Sequence, residues 1–367
     1  MTAIPLARPD LSPRETAYVT DAIHTSWIAS AGPYLERFES EFAEMCGTRH
    51  ALAVSNGTVA LHLALLGLGI GPGDEVIVPS LTYIASVNAV TYVGARPVFV
   101  DVDPVTWCID PAAVALAVTP QTRAIMAVHL YGQPADMDAL RSIARAHALH
   151  VVEDAAEAPC ASYGGRPTGS LGDVATFSFY GNKILTSGEG GALTSDDDDL
   201  TARMKLFRGQ GMDLNRRYFF PVIGYNYRLT NIAAALLCAQ MERRHELIER
   251  RTAIFARYTE GLRDIRGLEL QADVAGQTRA LWLYSVLVGE EFGRTRDDLA
   301  AALAEVEIET RPFFIPVHTL PPYASASTSN LSVTMRLARD GINLPTFSQM
   351  TDVDVDKVCA AIASAAR

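Results

Sequence analysis

An alternation that begins at His50 restricts the fold more than any other feature of the sequence. Short apolar runs at 51–54, 76–79, 97–102, 124–130, 150–152, 174–179 and 192–194 are separated mostly by segments of helical spacing, such as 59–68 and 137–147. Strands that are apolar throughout, with helices between them, are what a parallel sheet covered on both faces requires. The spacing therefore predicts an α/β domain with a seven-stranded, mostly parallel sheet, and ligands in such sheets bind beyond the carboxyl ends of the strands. At 367 residues the chain is long for one core. Residues 1–240 are expected to form a large domain and residues 241–367 a smaller C-terminal α/β domain.

Ahead of the alternation, Ser12, Pro13 and Glu15 carry the signature of a helix start, and Leu35, Phe38, Phe42 and Met45 keep helical spacing through 36–46. The non-periodic stretch 26–33 between them holds Trp27, either a packed loop residue or, the reading favoured here, a wall of a substrate site. Beyond the alternation, a long helix is predicted over 228–251, a strand over 281–288, and helices over 295–306 and 354–366.

Four motifs fall at the strand ends. Ser55-Asn56-Gly57-Thr58 opens a helix, where free amides and the helix dipole suit a phosphate, although Asn and Thr are also ordinary caps. Pro79 to Ser86 places Tyr83 at the next strand end, either as core packing or as a ring stacked on a planar cofactor. Asp154 ends an apolar strand, where a carboxylate is costly unless a cation pairs with it, and a protonated pyridine nitrogen is such a cation. Lys183 lies between a strand and a small-residue turn (Ser187, Gly188, Gly190, Gly191), with Ser178 near the same strand ends. Singly, each has a bland reading, and a lysine at a strand end is commonly a surface residue. Together, a phosphate cradle, a stacking ring, a buried acid and a Schiff-base lysine are the requirements of a pyridoxal phosphate site.

Over nearly its whole length the sequence resembles the DegT/DnrJ/EryC1/StrS family of sugar aminotransferases. The resemblance lies in 56–58, 79–86, His129-Leu130-Tyr131-Gly132, 153–158, 177–191, 208–213 and Gly224-Tyr225-Asn226-Tyr227-Arg228. It implies the type I, aspartate-aminotransferase-like fold and pyridoxal 5′-phosphate as cofactor, with pyridoxamine phosphate as its alternate form. It implies that Lys183 bonds the cofactor aldehyde, Asp154 meets the pyridine nitrogen and Tyr83 stacks on the ring. Gly57, Thr58 and Ser178 would hold the phosphate, and Glu157 would lie near the 3′ oxygen. Asn226 would reach the phosphate of a neighbouring subunit, so a homodimer is expected. Arg311 and His318 become candidates to touch substrate. Arg217, with Arg216 beside it, suits nucleotide phosphates, a solvated loop being the equal alternative.

The implied reaction is transamination of a nucleotide-linked 4-keto-6-deoxyhexose, with L-glutamate leaving as 2-oxoglutarate. Some relatives have Gln or His where this chain has Glu157, which favours GDP-4-keto-6-deoxymannose as substrate and GDP-perosamine as product. The alternatives are a dTDP-4-keto-6-deoxyglucose 4-aminotransferase or a 3-keto sugar aminotransferase. A sugar dehydratase of this family has His in place of Lys183, and a regulatory protein would lack the lysine or the aspartate. Both are disfavoured.

The 31 basic and 42 acidic residues, without a basic run, argue against nucleic acid as a partner. No apolar run reaches the roughly 18 residues that a membrane span needs. The N-terminal stretch lacks a signal-peptide pattern, and five scattered cysteines without CxxC spacing read as reduced thiols. A soluble, cytoplasmic protein is expected. The acidic run 196–199 reads as a solvated helix start, and no metal site is expected.

Overall fold

A computed structural model describes residues 3–324 and 331–366, so Met1 and Thr2 of the opening stretch lie outside it. Helix α1 (Pro13–His24) starts with a capping box. The Ser12 hydroxyl accepts from the Arg14 amide, the Glu15 carboxylate accepts from the Ser12 amide, and Pro13 takes the first turn. It is followed by α2 (Pro33–Cys46), β1 (His50–Val54), α3 (Gly57–Gly67), β2 (Glu75–Pro79), α4 (Ala85–Tyr92) and β3 (Arg96–Val100). Next come α5 (Pro111–Ala117), β4 (Thr122–Val128), α6 (Met137–His147) and β5 (His150–Asp154). A small pair, β6 (Ser162–Tyr163) and β7 (Arg166–Pro167), precedes β8 (Val174–Ser178), β9 (Gly191–Ser195) and α7 (Asp198–Arg208).

Seven of these strands form one sheet in the order β1-β9-β8-β5-β4-β2-β3. The pairings from β8 through β3 are parallel, and β9 alone runs against both its neighbours. Alternate strand residues feed two cores. Leu52, Val54, Val76, Val78 and Met126 pack with α3, α4 and α7, whereas Ala53, Ile77, Ile125 and Ala127 pack with α2, α6 and the later long helix α8 (Asn231–Leu262). Each fully buried Leu or Ile in these layers contributes about 1.5–3 kcal/mol. Because both faces are covered, the free ends of the strands are where polar groups gather, and β5, the middle strand, carries Asp154 at its end.

Some predicted strands have other bounds in the structure, and the run 97–102 stops as β3 at Val100. The run 124–130 stops as β4 at Val128, because Tyr131 turns left-handed (φ 50°) and 130–132 close a 3-10 turn. The predicted strand 281–288 begins only at Tyr284, since 280–282 are held elsewhere, as described below. The long helix is also longer than its spacing suggested. As α8 (Asn231–Leu262) it begins after Thr230, whose hydroxyl accepts from the Ala233 amide, and continues past Arg251. Ile254, Phe255, Tyr258 and Leu262 extend its apolar stripe into a third core.

That core belongs to the C-terminal part, with β10 (Leu268–Leu270), β11 (Gln277–Thr278), β12 (Tyr284–Val288), α9 (Arg296–Glu305), β13 (Arg311–Pro312), α10 (Ser332–Asp340), β14 (Gly341–Leu344) and α11 (Asp352–Ala365). Its antiparallel sheet has the order β10-β12-β14-β13, while β11 pairs back on β6. Helix α8 serves both parts: Leu237, Met241 and Leu247 lie in the first core, and Ile254 onward in the third. Among the described residues no helix is long and apolar enough to cross a membrane.

Candidate active site

After β8 the chain folds back on itself. The Phe179 amide donates to Gly190 O (2.8 Å), the Ser187 amide to Phe179 O (3.1 Å), and the Lys183 amide to Tyr180 O (2.9 Å). This closed turn sets the Lys183 amine beside the carboxylates of Glu157 and Asp154, with the Arg311 guanidinium near and Nζ 3.8 Å from the centre of the Trp282 ring. Burial, the largest effect, pushes the amine below the ordinary lysine range. The two carboxylates pull it back up, and Arg311 adds to the lowering. Lowering an amine's proton affinity in this way is what suits a lysine to nucleophilic and proton-transfer chemistry.

The two acids are held differently. Asp154 Oδ2 accepts from Ser86 Oγ at 2.7 Å and Oδ1 from the Ala156 amide at 3.2 Å, and Ser86 Oγ lies 2.9 Å from Thr82 Oγ1. Both of these donors to Asp154 are neutral groups. Glu157 Oε2 accepts from the Tyr131 amide at 2.7 Å. Burial pushes Glu157 up to about 7, against the pull of Lys183 and of that amide. The left-handed turn that ended β4 thus has a purpose at the site, because it aims the Tyr131 amide at Glu157.

Across the strand ends, Asn56 caps α3, its Oδ1 accepting from the Val59 amide at 3.0 Å. A Cβ on Gly57 would stand 2.9 Å from Ser178 Cβ, and one on Gly191 would stand 2.6 Å from the Asn56 carbonyl carbon. Glycine at both positions keeps open a niche where the first-turn amides of α3 and the Ser178 hydroxyl meet, which suits a phosphate.

Residues 9–363 match the DegT/DnrJ/EryC1/StrS aminotransferase family. The chain belongs to that family. It is 51% identical over 360 residues to the GDP-perosamine synthase of Caulobacter vibrioides, spanning 98% of this chain and 97% of the relative. It is 43% identical over 362 residues to the GDP-perosamine synthase of Escherichia coli O157:H7, spanning 99% and 98%. The fold superposes on the X-ray structure of S. venezuelae DesV with a TM-score of 0.93 at 38% identity, covering 100% of each chain. The protein is therefore a pyridoxal phosphate-dependent aminotransferase of fold type I. The niche at Gly57 and Ser178, the acid at the end of β5 and the amine of Lys183 fit that cofactor's phosphate, ring nitrogen and aldehyde.

Of the residues that the family resemblance singled out, the fold brings most together. Tyr83 is 57% exposed, with its ring tilted 5.7 Å from that of Phe314, and its carbonyl accepts from the same Ser86 hydroxyl that serves Asp154. His318 Nδ1 lies 2.6 Å from Ser80 Oγ at the end of β2, where burial lowers its pKa. Trp27, Arg217 and Asn226 are not joined to the Lys183 cluster by any hydrogen bond, ion pair or ring contact among the described residues. The Trp27 carbonyl accepts from Asn231, Arg217 lies over the ring of Tyr218, and Asn226 Oδ1 accepts from Arg228. The acidic run caps and opens α7, and Asp198 pairs with Arg49 and His50.

Three residues of the cluster were given no role from sequence: Ser86, Tyr131 and Trp282. Ser86 and Tyr131 lie within motifs already noted. Trp282 stands 100 residues beyond Asn182, to whose carbonyl its indole N–H donates at 2.8 Å, and no local spacing could link the two.

Glu157 should make the stability of the cofactor-free protein depend on pH. A carboxyl whose folded pKa is about 7, against 4.5 unfolded, is protonated in the fold when it is already ionised in the unfolded chain. Stability therefore falls as pH rises from about 4.5 to about 7, and the full penalty remains above that. Glu157→Gln should raise the melting temperature at pH 8 while changing it little at pH 4. An equal change at both would show that Glu157 is not the titrating group.

Proposed function

We propose that the protein transfers an amino group from L-glutamate to C4 of GDP-4-keto-6-deoxymannose, giving GDP-perosamine and 2-oxoglutarate. The observation that carries the reaction class is the Lys183 amine facing two buried carboxyl groups beside a phosphate niche. The choice of sugar rests on the name shared by the relatives from Caulobacter vibrioides and Escherichia coli. When bound, pyridoxal phosphate supplies a ring that withdraws the charge left as a proton leaves the donor's α-carbon.

With the cofactor bound, Lys183 would hold its aldehyde carbon, and its freed amine would carry the proton that leaves the donor's α-carbon and, in the second half-reaction, the proton that reaches C4 of the sugar. Asp154 would hold the ring nitrogen protonated and Glu157 would lie beside the ring, while Gly57, Thr58 and Ser178 would bind the phosphate and Tyr83 would cover the ring. Arg311, His318, Trp27 and Arg217 are the substrate-facing residues.

Two copies of the chain complete each site, with Asn226 reaching the partner's phosphate. Leu214, Tyr218, Phe219, Phe220 and Ile223, all exposed on one irregular segment just before Asn226, support such an interface, since apolar surface of that extent needs cover. Five unpaired cysteines, four of them buried, support a reducing compartment, the cytoplasm.

The test is spectroscopic. Protein loaded with pyridoxal phosphate is treated with L-glutamate, then divided between GDP-4-keto-6-deoxymannose and dTDP-4-keto-6-deoxyglucose. The visible band should be bleached by glutamate and restored by the GDP sugar alone. Restoration by the dTDP sugar alone would reject the proposed nucleotide, and no response to glutamate would reject the donor.

A further inference from the structure

We infer that Trp282 is a positioning residue that holds the released amine of Lys183 over the site, and that Arg251 fixes Trp282 from α8. The inference rests on the role proposed for Lys183 as the proton carrier. A lysine freed from a covalent link has many rotamers, and proton transfer needs one of them. The indole supplies it. Its face lies 3.8 Å from Nζ, on a residue only 3% exposed, and a buried aromatic face attracts a cation. Glu157, Asp154 and Arg311 are the charged groups that face the amine. The two acids oppose the loss of its proton, while the indole fixes its place.

Trp282 is itself pinned on several sides. Its indole N–H donates to Asn182 O, so the ring is tied to the backbone next to Lys183. Its amide donates to Ala280 O at 3.1 Å, and the Ala280 amide donates to Gly132 O at 2.9 Å. A Cβ on Gly132 would stand 2.0 Å from Ala280 O, so only glycine allows this approach. Gly132 ends the same left-handed turn whose Tyr131 amide holds Glu157, so one turn sets both neighbours of the amine.

The last restraint is Arg251. It is 3% exposed, and Nη1 donates to Leu281 O (3.1 Å) and Trp282 O (2.8 Å) while Nε donates to Ser348 Oγ (3.1 Å). A guanidinium buried on neutral acceptors is costly, and burial lowers its pKa to about 10. What the arrangement achieves is to stop 281–282 from joining β12 and to hold them above Lys183.

The chain has three lysines, Lys183, Lys205 and Lys357, so lysine labelled with 13C at the ε-carbon gives three NMR signals in the intact protein. In protein loaded with pyridoxamine phosphate, where Lys183 is free, its ε-methylene should be shifted upfield of the other two by the indole ring current. Lys183→Arg identifies the signal. Trp282→Leu should return it to the position of the others, Trp282→Phe should keep part of the shift, and Arg251→Met should broaden or reduce it.

With glutamate, Trp282→Leu should lower kcat about tenfold or more with little change in KM, and Trp282→Phe should recover most of the loss. A Lys183 signal that coincides with the other two in the unsubstituted protein, or that stays displaced in Trp282→Leu, overturns the inference. So does an equal loss of kcat in the Phe and Leu variants. The NMR shift does not depend on turnover, so failure of the proposed reaction, seen as full activity of Lys183→Ala, is distinguishable from failure of the positioning role.

Discussion

Lys183→Ala is expected to lower turnover with L-glutamate by about 10⁴-fold or more, because it removes both the covalent anchor and the proton carrier. The loss should appear in a single-turnover experiment that follows the cofactor's visible band, and methylamine added to the buffer should restore part of it. The fold should not suffer. Burial holds the Lys183 amine below the ordinary lysine range, so the folded chain binds the proton less readily than the unfolded one. That cost to stability is complete below the folded pKa and fades as pH rises toward the unfolded value. Removing the amine should therefore leave the melting temperature of the cofactor-free protein near neutral pH unchanged or slightly higher. One compensation is expected, since Glu157 loses the cation that pulls its pKa down and should then titrate at still higher pH. Turnover within tenfold of the unsubstituted protein would remove Lys183 from the chemistry.

Local pattern made the strands and the polar groups at their ends legible in the sequence. Leu52, Val76, Ile77 and Ile125 declare buried strands by type and period, and a carboxylate such as Asp154 at the end of an apolar run stands out because burial is costly there. Their shared address at the strand ends then joined Lys183 to Asp154, and family resemblance added Glu157, three residues beyond Asp154. What stayed hidden was set by contacts distant in sequence. Trp282 looked like the start of a strand, because nothing near it reveals that Arg251 and Gly132 hold 280–282 out of the sheet. The reach of α8 was underestimated because its stripe changes partner along its length, from Leu247 in the first core to Ile254 in the third. Tyr131 is an aromatic residue in a left-handed turn, a conformation that its type disfavours, and the turn aims its amide at Glu157. Where local preference and structure disagree, the disagreement points at the site.

Asp154→Asn is the substitution that separates charge from shape. The amide is nearly isosteric, its Oδ1 can still accept from Ser86 Oγ at the position Asp154 Oδ2 now occupies, and the backbone bond from the His129 amide to the Asp154 carbonyl (3.0 Å) is untouched, so that only the 3.2 Å bond from the Ala156 amide is lost. The β5 end should keep its geometry and the protein its melting temperature. What disappears is the negative charge that would keep a pyridine nitrogen protonated, so the ring loses its strength as an electron sink. A loss of about a hundredfold or more in kcat is expected, comparable to removing one preorganised charge-stabilising group elsewhere. KM for glutamate should move far less, because the charge matters to the developing carbanion and not to donor binding. Ser86→Ala is the matching control. It leaves the charge and removes one of its hydrogen bonds, so it should cost less than Asp154→Asn and should not change the sign of any pH effect. If Asp154→Asn ran within a few-fold of the unsubstituted rate, the ring's proton would have to be held by another group. Glu157, with its pKa near neutrality and its place beside Lys183, would be the first to test by the same substitution.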